Sequence, residues 1–522
     1  MNVSLAQFII KELSTLGVSA FCICPGGRSA PFVEVLSHSK GLKLFYFFEE
    51  RSAGFFALGR ACRDKKAVAV ITTSGTAVAE LLPSVVEAHY SAVPLVLITA
   101  DRPLSFGAKG CPQTLKKATS LLKDYCSISK NISKKSDLDL SQWNPHTSSL
   151  HLNVSFDEPL IDEPVKTTDF LKMKKKTQFI HKTSVKKGAS QKKLSQFFKA
   201  CKKPLILVGA LQEQEREPVK EILKNCNKPI YAESLSNLQG LIPSLLSGEK
   251  MLNYALQTKQ IDGVIRLGGI PRARFWRDLE KYKLPVLNLS SPPHYEGLAR
   301  PTVNQPLFYY IEHLKSYLFA LKGFGADLKE RDQIQLKKYL QLLKKYSEGE
   351  EAWFWTLKKS LKPRSKVFLG NSSPIRFWDK MLFCSKTDIQ ICGQSGVNGI
   401  DGLVSRFFGE CEAKKNNIAV LGDLSLLYDM PAFWRSKKRP HWTLVVINNL
   451  GGQLFSRLFD NPAFLNSHNL SFKALADMWS LNYKCYKKPS DFKWTEPYTL
   501  IEVRPKASDT KACFREYNSL WS

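Results

Sequence analysis

Asp423 and Asn449 are the residues whose types and spacing best suit chemistry. Asp423 lies in Gly422-Asp423-Leu424-Ser425, and 25 residues after it begins Asn448-Asn449-Leu450-Gly451-Gly452. A carboxylate, an amide oxygen and a glycine-freed backbone carbonyl are hard oxygen ligands. They leave room for two phosphate oxygens and a water around an octahedral Mg²⁺. Val420-Leu421 ends an apolar run, which puts Gly422-Asp423 at the carboxyl end of a strand. The run Thr443 to Asn448 reads as the next buried strand, closed by Asn449. Ligands of open parallel sheets bind just beyond such strand ends. The pair therefore reads as a divalent-metal and diphosphate site, although either half alone also reads as a strand turn or an Asn-rich loop.

The elements that would position these groups recur three times along 522 residues. Leu5, Phe8, Ile9, Leu13 and Leu16 share one helical face, with Gly17 as the stop. Strands are expected at Ala20–Cys24, Leu42–Phe48, Ala67–Thr72 and Pro94–Ala100, with a helix over Ala77–Ala88. The pattern restarts with strands at Pro204–Gly209, Pro229–Ala232 and Val264–Gly269 and a helix at Glu213–Asn225. It restarts again with a strand at Lys366–Gly370 and ends on Tyr498–Val503. Strands alternating with helices predict an α/β chain of three doubly wound parallel-sheet domains. The expected boundaries are 1–165, a basic linker 166–200, a central domain 201–325, a helical connector 326–350 and a last domain 351–522.

Composition bounds the partners. The net charge is +29, with lysines concentrated at Lys172–Lys176, Lys186-Lys187, Lys192-Lys193 and Lys202-Lys203. No aromatic-interleaved platform accompanies them, so a solvated basic linker is favoured over a nucleic-acid surface. No run approaches the ~20 apolar residues of a membrane span. The start, Met1-Asn-Val-Ser-Leu-Ala-Gln-Phe-Ile-Ile, lacks a basic n-region, so no signal peptide and a cytoplasmic location are expected. The twelve scattered cysteines fit free thiols in a reducing compartment.

Motifs along nearly the full length resemble the 2-succinyl-5-enolpyruvyl-6-hydroxy-3-cyclohexene-1-carboxylate (SEPHCHC) synthase family of menaquinone biosynthesis, enzymes dependent on thiamine diphosphate (ThDP). The segments are Cys24-Pro-Gly-Gly-Arg-Ser-Ala-Pro31, Glu50-Arg-Ser-Ala-Gly-Phe-Phe-Ala-Leu-Gly59, Thr73-Ser-Gly-Thr-Ala77, Thr99-Ala-Asp-Arg-Pro103 and Gly110-Cys-Pro-Gln-Thr114. Later come Gly370-Asn-Ser-Ser-Pro-Ile-Arg376, Gly399-Ile-Asp-Gly402, Gly422-Asp-Leu-Ser-Leu-Leu-Tyr-Asp429 and the Asn-Asn-x-Gly-Gly loop. The resemblance implies the ThDP enzyme fold, with a pyrimidine-binding first domain and a diphosphate-binding last one. It also implies decarboxylation of 2-oxoglutarate and conjugate addition of the succinyl semialdehyde unit to isochorismate. ThDP and Mg²⁺ (or Mn²⁺) are the implied cofactors. The implied assembly is a homodimer or dimer of dimers, with cofactors held between domains of two subunits.

Residue by residue, the resemblance assigns Glu50 as the carboxyl group that activates the aminopyrimidine of ThDP, with Glu49 the adjacent candidate. Ile400 is the aliphatic support under the bent cofactor, and Gly422, Asp423, Leu424, Ser425, Asn449 and Gly451 surround the diphosphate. Asp423, Asn449 and the Gly451 carbonyl are the implied metal ligands. Gln113 orients intermediates. Arg28, Arg102, Arg274, Ser372, Arg376, Ser395, Leu454 and Phe455 are the implied substrate-binding residues. Guanidinium suits these substrates because its planar fork pairs two carboxylate oxygens at once.

Three departures from the family pattern matter. Gly27 stands where the family usually has Ser, Gln394-Ser395 where it usually has Asn-Arg, and Leu450 where it has a third Asn. The second change removes an arginine expected to hold a substrate carboxylate. Either another arginine compensates, or the chain is a related ThDP carboligase or 2-oxo acid decarboxylase with a different acceptor. A degenerate basic scaffold is a third reading, disfavoured because Glu50, Ile400, Asp423 and Asn449 are all present.

Overall fold

The structure, a computed structural model, describes residues 1–106, 109–170, 187–289, 307, 311–384 and 388–521. Lys172–Lys176 and Lys186 of the expected linker lie outside the described residues. The chain divides into two compact units. One comprises Met1–Lys182, Gly396–Cys411 and Leu427–Arg439; the other comprises Thr183–Ser395, Glu412–Leu426 and Pro440–Ser522.

The first unit is built on a six-stranded sheet in the order Lys43–Tyr46, Ala20–Ile23, Val68–Thr72, Leu95–Asp101, Leu150–Ser155, Ile128–Ile132. Every pairing is parallel. The middle strands are buried along their whole length, which is why they read as unbroken apolar runs. The last two strands do not stand out in the sequence, because polar residues interrupt them. Thr99 Oγ1 lies 2.9 Å from His151 Nε2 and donates to Asn153 Oδ1 at 2.8 Å, while Asn153 donates to Asn131 Oδ1 at 2.9 Å. Burial pushes the His151 imidazole down to about 4, so it sits in this ladder as a neutral ring. The single helix expected over Ala77–Ala88 is two helices, Thr76–Glu80 and Leu82–Ser91. Pro83 falls in the first turn of the second, where its missing N–H costs nothing.

In the second unit a four-stranded parallel sheet runs Ile230–Ala232, Pro204–Val208, Gly263–Leu267, Val286–Leu289. A six-stranded parallel sheet runs Gln390–Gly393, Ser365–Leu369, Asn416–Gly422, Trp442–Ile447, Thr499–Val503, Asn482–Tyr486. The helix Ala326–Lys345 is amphipathic and serves both. Its Leu328 joins the core around Leu205 and Leu207, and its Tyr339, Leu342 and Leu343 join the core around Val367 and Val445. Asn237 clamps the edge strand, donating to Ile391 O at 3.0 Å and accepting Ile391 N–H at 2.6 Å.

All twelve cysteines are unbridged. Among the described residues no helix is long and apolar enough to cross a membrane.

One helix crossing in the first unit sets how closely its parts approach. Helix Glu50–Asp64 meets helix Leu403–Glu410 through glycines. A Cβ on Gly59 would lie 2.0 Å from the Arg406 carbonyl oxygen, and one on Gly409 would lie 2.1 Å from that of Phe56. Arg406 pairs with Glu87 and Glu410, each at 3.2 Å. Glu87 also accepts the N–H groups of Gly396 and Val397, at 2.6 and 2.7 Å. Gly59→Ala is expected to lower stability by about 1–3 kcal/mol or more through overpacking. Gly27→Ala, whose new Cβ would meet nothing within 4 Å, should stay within about 0.5 kcal/mol. Urea unfolding of the two variants checks this contrast.

Candidate active site

In the first unit the expected residues gather at the carboxyl ends of the strands. Ile23 pairs with Tyr46 and Ile71, and Thr72 with Thr99. The turn bearing Arg28, the segment bearing Glu49 and Glu50, the Thr73–Gly75 turn and Arg102 therefore all leave one sheet edge. Gln113 lies against that turn, since a Cβ on Gly75 would be 3.1 Å from Gln113 Cα. The buried hydroxyls of Thr73, Ser74 and Thr114 lack a hydrogen-bond partner among the described residues, as does Nη1 of Arg102. Arg28 is held by the Phe156 carbonyl at 3.3 Å and pairs with Glu158 at 2.9 Å. A substrate carboxylate would have to displace Glu158, which is largely exposed.

The two adjacent glutamates divide their work. Glu49 is the N-cap of helix Glu50–Asp64, and its side chain accepts the Ser52 N–H at 2.8 Å. Glu50 is the first helical residue. Burial holds its carboxyl above the usual range, against a backbone hydrogen bond that lowers it; the charges of Glu49 and Glu80 add to the rise. A carboxyl raised in this way keeps its proton to higher pH than an exposed glutamate does. Ile400, half-exposed, sits in the segment between the Glu87-held turn and helix Leu403–Glu410.

In the second unit, parallel pairing brings the metal-type residues together. Gly422 pairs with Ile447, so Asp423 emerges beside Asn448 and Asn449. Asp423 opens the helix Asp423–Tyr428, with Leu424 and the buried Ser425 following it. Its carboxylate accepts Leu424 N–H at 2.7 Å and Gly451 N–H at 2.9 Å. Gly451 adopts φ 127°, and a Cβ there would lie 2.5 Å from the Leu465 carbonyl, so the loop closes only with glycine. Asn448 is structural: it donates to the Leu470 carbonyl at 3.0 Å and to Glu502 at 2.8 Å.

The donor set fits a hard dication. Burial holds the Asp423 carboxyl above its usual range, and the Gly451 and Leu424 N–H groups lower it; a bound cation would compensate for that burial. Asn449 turns its amide nitrogen to Glu350 Oε1 at 3.3 Å, leaving its oxygen for another partner. The Gly451 carbonyl accepts Gln453 N–H at 2.8 Å and keeps a second lone pair. Space is open in front of Gly422, where an added Cβ would meet nothing within 4 Å. Among the described residues no three His, Cys, Asp or Glu side chains converge to hold a metal, so a site on Asp423 would draw on amide and carbonyl oxygens.

The substrate-type residues of this unit stand on four separate segments. Arg376 donates to the Ser372 carbonyl at 2.7 Å, and Ser372 holds φ 69° just past the strand Ser365–Leu369. Ser395 follows the neighbouring edge strand Gln390–Gly393. Arg274 starts a short helix, mostly exposed, with its Nε 3.3 Å from Asp278. Leu454 and the exposed Phe455 lie after the loop 449–452, with Phe459 and Phe464 stacked beyond them at ring distances of 6.4 and 4.4 Å.

Four further residues stand in these places without any motif to reveal them. His468 Nε2 lies 3.2 Å from Asp423 Oδ2. Glu350, 1% exposed, faces Asn449, and burial pushes its carboxyl up to about 7 against the opposing charge of Arg457. Arg457 lies over the rings of Phe377 and Phe514. Arg272 donates to the Gln394 carbonyl at 2.7 Å. Each reaches its place by tertiary folding alone, with no local pattern for sequence reading to detect.

Comparison with known proteins places this geometry. Residues 3–121 match the family described as thiamine pyrophosphate enzyme, N-terminal TPP binding domain. A Bdellovibrio bacteriovorus protein named 2-succinyl-5-enolpyruvyl-6-hydroxy-3-cyclohexene-1-carboxylate synthase is 38% identical over 100% of this chain and 99% of its own length. Proteins of the same name from Akkermansia muciniphila and Staphylococcus epidermidis are each 29% identical, covering 97% and 93% of this chain and 97% and 91% of their own. With its parallel α/β sheets, its full-length match and its cofactor-domain signature, the chain belongs to the SEPHCHC synthase family of ThDP-dependent enzymes.

Proposed function

We propose that the chain decarboxylates 2-oxoglutarate and adds the resulting succinyl semialdehyde unit to isochorismate, releasing CO₂ and forming SEPHCHC for menaquinone biosynthesis in the cytoplasm, with ThDP and Mg²⁺ bound. The observation that carries this reading is the end-to-end match to relatives of that name. When bound, ThDP supplies the electron sink for decarboxylation. Glu50 would hold a proton for exchange with the aminopyrimidine, and its raised pKa suits that role. Asp423, Asn449 and the Gly451 carbonyl would hold Mg²⁺, and Gly422, Leu424 and Ser425 would take part in holding the diphosphate. Ile400 would give the cofactor aliphatic support. Arg28, Arg102, Arg274 and Arg376 meet the substrate carboxylates, with Ser372, Ser395, Leu454 and Phe455 beside them, and Gln113 orients the reacting unit.

The chain works as a homodimer at least. Support comes from exposed apolar side chains near both residue sets: Phe48, Tyr428 and Met430 in one unit, Phe455, Leu458, Phe459 and Phe464 in the other. Such surface is costly to leave in water. Light scattering should give at least twice the 59.1 kDa chain mass; a monomer at micromolar concentration would refute the assembly.

A different acceptor is the second reading, favoured by Ser395 in place of the expected arginine. The deciding experiment measures CO₂ released from 2-oxoglutarate with ThDP and Mg²⁺, with and without isochorismate. Release that rises with isochorismate, together with a coupled adduct, supports the synthase reading; release indifferent to isochorismate supports the second. Glu50→Gln should keep ThDP affinity while abolishing turnover, and full activity in that variant would remove Glu50 from the reaction. Asp423→Ala should lose Mg²⁺-dependent ThDP binding, and unchanged cofactor affinity would remove Asp423 from the metal site.

A further inference from the structure

The end of the edge strand Gln390–Gly393 carries a buried amide that no described residue satisfies. Gln394 is 1% exposed, and neither its Oε1 nor its Nε2 has a hydrogen-bond partner among the described residues. A buried amide left unpaired is costly, and a ligand offering complementary groups recovers that cost. The main chain of the same residue is engaged, because its carbonyl accepts Arg272 Nη2 at 2.7 Å. Arg272 is fixed from behind: its own N–H and that of Ala273 donate to one oxygen of Glu233, at 2.6 and 2.9 Å.

The neighbouring strand ends in the same way. Leu369 pairs in parallel with Gly393, so the turn after Ser365–Leu369 and the turn bearing Gln394 leave the sheet side by side. On that turn Arg376 docks on the Ser372 carbonyl at 2.7 Å. Two adjacent strand ends thus each carry a guanidinium seated on a main-chain carbonyl. The two charges feel each other: Arg376 is held below its usual range by desolvation first and, against the opposing charge of Glu249, by Arg272. Like charges placed together favour an anion that bridges them.

We propose that Arg272, with the Gln394 amide and Arg376, binds a carboxylate of the acceptor and so takes the role of the arginine that the family pattern puts at position 395. The inference rests on the reaction proposed above and deepens it. The guanidinium reaches the site from the segment after strand Gly263–Leu267 rather than from the loop after Gln390–Gly393. That explains how Ser395 is tolerated without loss of the substrate.

The test titrates isochorismate into the ThDP- and Mg²⁺-loaded protein by intrinsic fluorescence, with steady-state kinetics alongside. Arg272→Gln should weaken isochorismate in both Kd and KM by about 10- to 100-fold, with KM for 2-oxoglutarate and ThDP affinity little changed. Adding Ser395→Arg to that variant should restore most of the loss, because it returns a guanidinium from the other side. Gln394→Leu gives a separate reading: it should hold or raise the melting temperature, by removing an unpaired buried amide, while weakening isochorismate. Unchanged isochorismate affinity in Arg272→Gln overturns the site and leaves the reaction standing. Equal loss of ThDP affinity overturns it also, as the mark of a purely structural arginine. Wild-type binding of isochorismate without conversion overturns the reaction and leaves the site standing.

Discussion

Parallel strand pairing is the constraint on which the candidate site depends. In a parallel sheet all carboxyl ends fall on one edge, so groups far apart in sequence meet there without further instruction. The pairing of Gly422 with Ile447 sets Asp423 beside the Asn448-Asn449 loop. The pairing of Leu369 with Gly393 sets Arg376 and Gln394 on adjacent turns. The pairings of Ile23 and Thr72 do the same for the segments bearing Arg28, Glu50 and Arg102. A slip of one residue in any of these registers would also turn the strand's side chains to the opposite face, so the buried core enforces the alignment.

Burial then adjusts the chemistry of what the sheets deliver. Glu50, Asp423 and Glu350 all have carboxyls raised mainly by burial, and so does Glu233 behind Arg272. In a chain with a net charge of +29, these acids are held where burial disfavours their ionisation. A cation or a guanidinium brought close would favour their charged forms. The positive surplus suits the anionic substrates and diphosphate proposed for the site, by drawing anions toward the protein.

Much of this was legible in the sequence, for physical reasons that differ by residue. Strands Val68–Thr72, Leu95–Asp101 and Trp442–Ile447 are buried on both faces and spell themselves as apolar runs. Asp423 and Asn449 could be read together because each closely follows a legible strand. Strands Ile128–Ile132 and Leu150–Ser155 escaped notice because His151 is partnered by Thr99 and Ser129, and Asn153 by Thr99 and Asn131, across strands, a pairing no single segment reveals. Choosing between Glu49 and Glu50 from the residues alone was equally beyond reach: the cap bond to Ser52 is what commits Glu49. Arg272 and His468 stand at places set by distant strands, and isolated Arg and His residues carry no local pattern.

The glycine crossing of helices Glu50–Asp64 and Leu403–Glu410 has a mechanical consequence. Side chains at a helix interface act as a cushion, because rotamers absorb small displacements. At Gly59 and Gly409 main chain rests on main chain, and there is nothing to compress. The Glu87 carboxylate ties the Gly396-Val397 turn to the same contact. A small tilt of one helix is therefore passed on undiminished to the other. Glu50 at one end and the segment bearing Ile400 at the other would move as parts of one stiff lever, keeping their spacing while the surrounding loops breathe.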